Sequence, residues 1–382
     1  MNGEPYIPQF LTVHLGAPGS NAQNVTVSFP DYIKNVASSE IYPTWPENAI
    51  RANVYAQISY ALNRYYTEWY RSMGYDFDIT NSTRYDQAYV QNRDIFANIS
   101  DIVDDIFNEY VYRQGSVEPY FTQYCNGTTV TCDGLSQWGT VPLAEQGYGP
   151  YDILVEFYGP DINLNTDTPV RINSPSYPGL PLRLGDAGNS VRTKQVQLNR
   201  ISRNYPSIPK IAPVDGVFGQ ETDDAVREFQ RIFKLTADGI IGKATWYRIA
   251  YLYNSVKRLS ELDSEGISLD EVAQQFPSLL SPGDTGDEVR MIQYYLQVVA
   301  AYYDTVPPLT TTGVYDDATY QAVMAFQRTF GLTPDGIMGQ QTWNELYKAY
   351  RGILDSTAVM EGGVVLYPGT VMRIGSQGEY VQ

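Results

Sequence analysis

The chain has 382 residues, 43% of them hydrophobic and 18% charged, enough for several domains with their own buried cores and unlike a disordered polymer. Its 43 acidic and 26 basic residues leave a formal charge of −17, which excludes a nucleic-acid-backbone binder and favours neutral or mixed-charge partners such as glycan. No apolar run reaches the ~18 residues of a membrane helix, so no membrane span is expected.

The opening "MNGEPYIPQFLTVHLG" lacks a basic stretch followed by an apolar one, so no signal peptide is visible in this chain. "QFLTVHLG" and "NVTVSFP" alternate apolar and polar residues and are predicted strands. A helix is expected from about Asp31, just after Pro30. Tyr32, Val36 and Glu40 lie four apart, so Glu40 ends the apolar stripe of that helix. Burial and the negative end of the helix dipole would both raise its pKa there, which makes it the candidate for chemistry. Seven residues on, across a Pro-Thr-Trp-Pro turn, Glu47 fits a capping box with Thr44 as N-cap, a structural role. The next helix sets Ile50, Val54, Ile58, Ala61, Leu62 and Tyr65 on one face and should be central and buried.

"SDIVDDIFNEY" spaces its acids helically, with Ile102, Val103 and Ile106 opposite, a solvated amphipathic helix rather than a metal site. Cys125 and Cys132, in "YCNGTTVTCDG", permit a small disulfide loop, half of a metal site or two free thiols. The sole histidine, His14, is distant in sequence, so a disulfide or free thiols are favoured and no cofactor is expected.

After "PDINLNTDTPVRINSPSYPGLP", a linker rich in Pro, Asn and Ser, the chain repeats itself. "VDGVFGQETDDAVREFQRIFKLTADGIIGKATW" is followed by "TTGVYDDATYQAVMAFQRTFGLTPDGIMGQQTW", with Phe229 and Phe326, Gly239 and Gly336, and Trp246 and Trp343 each 97 apart. Each copy reads as a small helical unit, its Phe, Leu and Trp positions core, its glycines turns and Thr222 an N-cap. Between the copies, "SLDEVAQQF" should hold a short helix capped by Ser268. The final "MRIGSQGEYVQ" matches "LRLGDAGNSVR", the start of a third, truncated copy.

The repeated G-x-x-G … A-V-x-x-F-Q … D-G-I-x-G-x-x-T-W pattern closely resembles the peptidoglycan-binding domain type 1 family, a three-helix module appended to cell-wall enzymes. "FPDYIKNVASSEIYPTWPENAIRANVYAQISYAL", "YDQAY" and "GLSQWGTVPLAEQGYGPYDILVEFYG" resemble, in that order, the stage II sporulation protein D (SpoIID/LytB) family. That resemblance implies a lytic transglycosylase that cleaves peptidoglycan glycan strands, with Glu40 on the catalytic glutamate. It places Trp45, Gln87, Tyr124, Ser136, Gln137 and Trp138 along the substrate cleft, Ser136 and Gln137 as hydrogen-bonding groups and Trp138 as sugar platform or core. Family members can bind zinc through Cys and His near this region. Here "TCDG" stands in place of the family's His-Gly, and Ile58 in place of an Arg.

The expected architecture is therefore multidomain. An α+β SpoIID-like domain (1–168) precedes all-α three-helix repeats at 179–262 and 276–356 and a fragment at 363–382. This arrangement resembles spore cortex-lytic proteins of the SleC type and implies a cell-wall or spore location. A non-catalytic wall-binding or spore-assembly protein on the same folds is the alternative, and the oligomeric state is not legible.

Overall fold

A computed structural model describes residues 4–166, 168–272 and 279–358. The described residues up to Val272 form one compact unit and those from Leu279 a second.

The first unit opens with β1 (Ile7–Pro8), then β2 (Phe10–His14) and β3 (Asn24–Ser28) as an antiparallel pair running from Phe10↔Ser28 to His14↔Asn24. β4 (Ile79–Thr80) adds to β2 in parallel. α1 (Phe29–Glu40) follows β3 without a loop. It starts two residues before the expected point because the Ser28 hydroxyl accepts the Asp31 N–H at 3.3 Å as a cap.

α2 (Glu47–Tyr66) is central, as its apolar positions predict, but it is buried on almost every face. Its buried polar residues are each tied to a neighbour. Asn53 donates to Thr140 at 2.9 Å, the Ser59 hydroxyl accepts the Val111 N–H at 2.8 Å, and Asn63 donates to the Pro119 carbonyl at 2.9 Å. The Thr44–Glu47 capping box does not form. Pro46 is the N-cap residue and Glu47 the first helical one, because a residue before proline, here Trp45, is biased toward extended backbone. Glu47 instead pairs with Arg51 at 2.8 Å.

Around α2 lie α3 (Trp69–Ser72), α4 (Ala97–Ile106), β5 (Tyr110–Arg113), β6 (Tyr124–Cys125), β7 (Leu135–Ser136), α5 (Thr140–Glu145), α6 (Pro150–Tyr158), β8 (Ile162–Asn165) and β9 (Val170–Arg171). α4 buries Ile99, Ile102, Val103 and Ile106 and exposes Asp101, Asp104 and Asp105. The segment read as a linker is structured in part: β8 pairs with β5, and β9 with β1.

The first repeat consists of α7 (Asn189–Ser202), α8 (Gln220–Ile232) and α9 (Lys243–Lys257), and the second of α10 (Asp287–Ala300), α11 (Asp317–Thr329) and α12 (Gln340–Ala358). The chain is thus multidomain, a mixed helix–strand N-terminal region followed by helical repeats. Phe229, Phe326, Trp246 and Trp343 are buried, as expected of core.

Each Asp-Gly turn is clamped by a buried glutamine. Gln230 accepts the Gly239 N–H at 2.9 Å and donates to the Ile240 carbonyl at 2.9 Å. Gln327 does the same with Gly336 and Ile337 at 2.8 and 3.1 Å. Gly239 and Gly336 have φ of +74° and +71°, where a side chain would be strained. Thr222 is not a cap: Gly219 takes that position, and Thr222 is buried beside Gln195.

At one core position the repeats differ in chemical class. Lys194 is buried over the Trp246 ring at 3.7 Å, and burial lowers its amine to about 7. The second repeat has buried Ile292 there, immediately before its Gln293.

The first repeat shares its core with the N-terminal region, including Tyr66 and Val117. Asn254 donates to the Thr67 carbonyl at 2.6 Å, and the Tyr120 hydroxyl donates to the Leu262 carbonyl at 2.7 Å. Ser268 caps a single 3-10 turn, Leu269–Glu271. The rest of the expected short helix and the 363–382 fragment lie outside the described residues.

Candidate active site

Glu40 is the last residue of α1 and remains partly accessible, while its carboxylate is surrounded by donors from three other parts of the first unit. The Ala88 N–H donates to Oε1 at 2.7 Å. Oε2 accepts from the Tyr124 hydroxyl at 2.6 Å, Gln57 at 3.0 Å and Gln137 at 3.3 Å. All four donors are neutral, and among the described residues no ion pair reaches Glu40. Burial lifts its carboxyl above the ordinary value, and the four hydrogen bonds oppose that rise without cancelling it.

A second layer fixes the donors. Fully buried Gln87 donates to the Tyr124 hydroxyl and to the Gln57 carbonyl, each at 3.0 Å, and accepts from Tyr32 at 3.0 Å. Burial, then Glu40 itself, push the Tyr124 phenol well above its usual range, so it stays a donor. The segment carrying Gln87 and Ala88 is anchored by Asp86, which is ion-paired to Arg64 at 2.8 Å and accepts from Tyr70 at 2.6 Å.

β6 and β7 run parallel with Tyr124 opposite Leu135, which brings Tyr124 and Gln137 to the same side of Glu40. A Cys125–Cys132 disulfide closes the intervening loop. With both sulfurs bonded to each other and no histidine adjacent, these residues do not fit a zinc site, and no step is drawn through a metal. No cluster of metal-binding side chains occurs among the described residues.

The residues following Glu40 and Gln137 in sequence supply an aromatic group. Trp45 packs against Trp138 with ring centres 4.8 Å apart, and Tyr42 lies 5.7 and 5.6 Å from the two. Trp45 is buried, whereas Trp138 is 43% and Tyr42 55% exposed, so two ring faces are open to a ligand. Ser136, next to Gln137 in sequence, accepts the Gly139 N–H at 3.0 Å through its hydroxyl and is packed against Gly127 and Gly139, a turn-forming contact.

The structure therefore brings Gln87, Tyr124 and Gln137 into the Glu40 network, packs Trp45 and Trp138 together with Tyr42, two residues past Glu40 in sequence, and gives Ser136 a turn contact. It adds Gln57, Tyr42 and the Ala88 N–H. Gln57 carried only a weak signal, one of several polar residues in a helix whose apolar face predicts burial; a backbone N–H carries none.

Residues 19–110 match the family described as Stage II sporulation protein, a span that includes Glu40, Gln57 and Gln87 and ends before Tyr124. Residues 187–249 and 285–346 each match the family described as Putative peptidoglycan binding domain. An N-acetylmuramoyl-L-alanine amidase, CwlM of Mycobacterium tuberculosis, is 33% identical over 34% of this chain and 27% of its own length. Another amidase, CwlL of Bacillus licheniformis, is 32% identical over 43% of this chain and 44% of its own. A zinc D-Ala-D-Ala carboxypeptidase of Streptomyces albus G is 41% identical over 18% and 26%. The chain thus spans less than half the length of these relatives. A solved peptidoglycan-binding protein from Clostridioides difficile is 28% identical, covering 24% of this chain and 51% of that one, with a TM-score of 0.18. This chain carries a Stage II sporulation protein region followed by two putative peptidoglycan binding domains, in that order.

Proposed function

We propose that this protein is a lytic transglycosylase that cleaves peptidoglycan glycan strands, in the cell wall or the spore, with Glu40 as its single acid and base. The observation that carries the reading is the Glu40 carboxylate, held by four neutral donors with, among the described residues, no cation and no second carboxylate hydrogen-bonded to it.

Oε2 already accepts three hydrogen bonds, whereas Oε1 accepts one, so the transferable proton belongs on Oε1. Glu40 gives that proton to the glycosidic oxygen as the bond from muramic C1 breaks. The carboxylate so formed is stabilised by Tyr124, Gln57 and Gln137. It then takes the proton of the same sugar's 6-hydroxyl, whose oxygen bonds to C1 and closes a 1,6-anhydro ring. Atoms balance without water, and a second carboxylate is unnecessary, unlike in paired-carboxylate hydrolysis. Trp138 and Tyr42 offer the faces on which sugar rings would stack.

The repeats would hold the chain on its substrate and raise its effective concentration. The relatives are named for two other reactions, amide and peptide cleavage, and so support a wall-directed role without choosing the chemistry. The test is to incubate the protein and a Glu40→Gln variant with purified peptidoglycan and identify the muropeptides by mass. Anhydro-muramyl ends from the wild type alone are expected. No new ends from either protein would leave a wall-binding protein instead.

A further inference from the structure

Up to residue 168 the chain has seven cationic side chains: Lys34, Arg51, Arg64, Arg71, Arg84, Arg93 and Arg113. Five are paired, Lys34 with Asp104, Arg51 with Glu47, Arg64 with Asp86, Arg71 with Asp78 and Arg113 with Asp161, at 2.6–3.5 Å. Arg84 and Arg93 have no ion-pair partner among the described residues, and both lie on the segment that supplies Gln87 and Ala88 to Glu40. Among these seven, a cation without an acid is the exception.

Arg84 lines a cavity of ≈ 510 Å³ together with Gly16, Ala17, Asn81, Ser82 and Ala88, and no acidic residue lines it. Ala88 is the connection to Glu40: it forms part of the cavity wall while its N–H donates to Oε1 at 2.7 Å. Both walls are fixed. On one side the Ala17 carbonyl accepts from Ser20 at 2.7 Å, and Gly16 sits so close to Ser20 and Ala22 that a Cβ would not fit. On the other, Asp86 and Gln87 anchor the segment from within. The Arg84 guanidinium itself is exposed, 5.6 Å from the Tyr85 ring. A preformed polar cavity with one free guanidinium suits a planar carboxylate, which arginine binds through two parallel N–H donors.

We propose that the Arg84 cavity binds a carboxylate of the glycan strand whose scissile bond lies at Glu40. The inference rests on the lytic reading above. Two groups on such a strand offer that chemistry: the lactyl carboxylate of a muramic residue without its peptide, and a carboxylate of a peptide stem.

The test uses the full chain with Glu40→Gln, so that strands are not consumed, and muramyl tetrasaccharides in three forms. These are stem-free with a free lactyl carboxylate, stem-bearing, and stem-free with the lactyl group converted to an amide. Binding is read locally, as hydrogen-exchange protection of residues 80–93 during titration. Adding Arg84→Gln is expected to weaken at least one carboxylate form about tenfold, the scale of a charged hydrogen bond, while Arg84→Lys, which keeps the charge but not the paired donors, weakens it less than Arg84→Gln. Affinity for the amide form should change less than about twofold when Arg84→Gln is added. Loss on the stem-free form identifies the lactyl group, and loss on the stem-bearing form alone identifies the stem. Equal loss on the amide form, or no loss on either carboxylate form, overturns the proposal. Because no turnover is required, failure to form anhydro ends would sink the lytic reading while leaving the Arg84 result to stand by itself.

Discussion

Glu40 and Asp86 are two interior carboxylates touched by the same short stretch of chain. Asp86 faces Arg64 at 2.8 Å and is closed in by the hydroxyls of Tyr70 and Thr80 at 2.6 and 2.7 Å. Glu40, reached through Ala88 two residues later, accepts, among the described residues, from two amides, a phenol and a backbone N–H. Asp86 is spent on holding Arg64 and the hydroxyls around it, which makes it scaffold. Neutral donors leave the proton exchangeable, as an acid and base needs.

Replacement of each carboxylate should separate the two roles most strongly. Glu40→Gln is expected to lower the cleavage rate by about 10²–10⁴-fold, the usual worth of a general acid. Its unfolding free energy should stay within about 1 kcal/mol of wild type, since the amide keeps most of the burial. Asp86→Asn should do the reverse to stability, costing about 3–5 kcal/mol in urea unfolding because Arg64 is left buried without its partner. Equal stability losses from both would erase the distinction.

Next in size is Tyr124→Phe, which removes the shortest hydrogen bond to Glu40. The carboxylate loses stabilisation, so the pH at which activity falls, as Glu40 loses its proton, should move upward by about one unit. A downward move in the pH–rate profile would contradict the assigned direction.

The pH dependence of stability gives a smaller signal. Burial raises the carboxyl of Glu40, and raises Glu118, which accepts the Ile267 N–H at 2.7 Å, to about 7. A carboxyl with a raised folded pKa binds its proton more tightly when folded. Its contribution is complete below the unfolded value, near pH 4.3, and is lost as pH rises through the folded value. Wild type should therefore lose stability relative to Glu40→Gln/Glu118→Gln between about pH 4.5 and 7, measured by urea unfolding across that range. Smallest of all, Glu47→Gln should cost less than about 0.5 kcal/mol and leave cleavage intact, because the Glu47–Arg51 pair is on the surface.

Much of the first unit was legible from periodicity. The alternation in β2 and β3 and the four-residue spacing ending at Glu40 describe surfaces that the fold buries. The repeats were legible because their Phe, Trp and Gly positions recur, and the fold gives each recurrence a packing or turn reason. What was not legible depends on contacts between distant segments. The shell of Glu40 joins residues 40, 57, 88, 124 and 137; the resemblance named Tyr124 and Gln137, but Gln57 and the Ala88 backbone N–H went unnamed. The capping box failed because Pro46 acts through its neighbour's backbone, which a side-chain motif does not encode. Lys194 and Ile292 show the same limit within the repeats: two similar segments hide a lysine in one core and an aliphatic residue in the other.

The most direct measurement is cleavage in H₂¹⁸O, with the new muramyl ends analysed by mass. Internal attack by the 6-hydroxyl predicts anhydro ends with one water less than a reducing end and no ¹⁸O, absent from the Glu40→Gln reaction. Reducing ends that carry ¹⁸O would mean that water attacks C1, and would contradict a transglycosylase built on Glu40 alone.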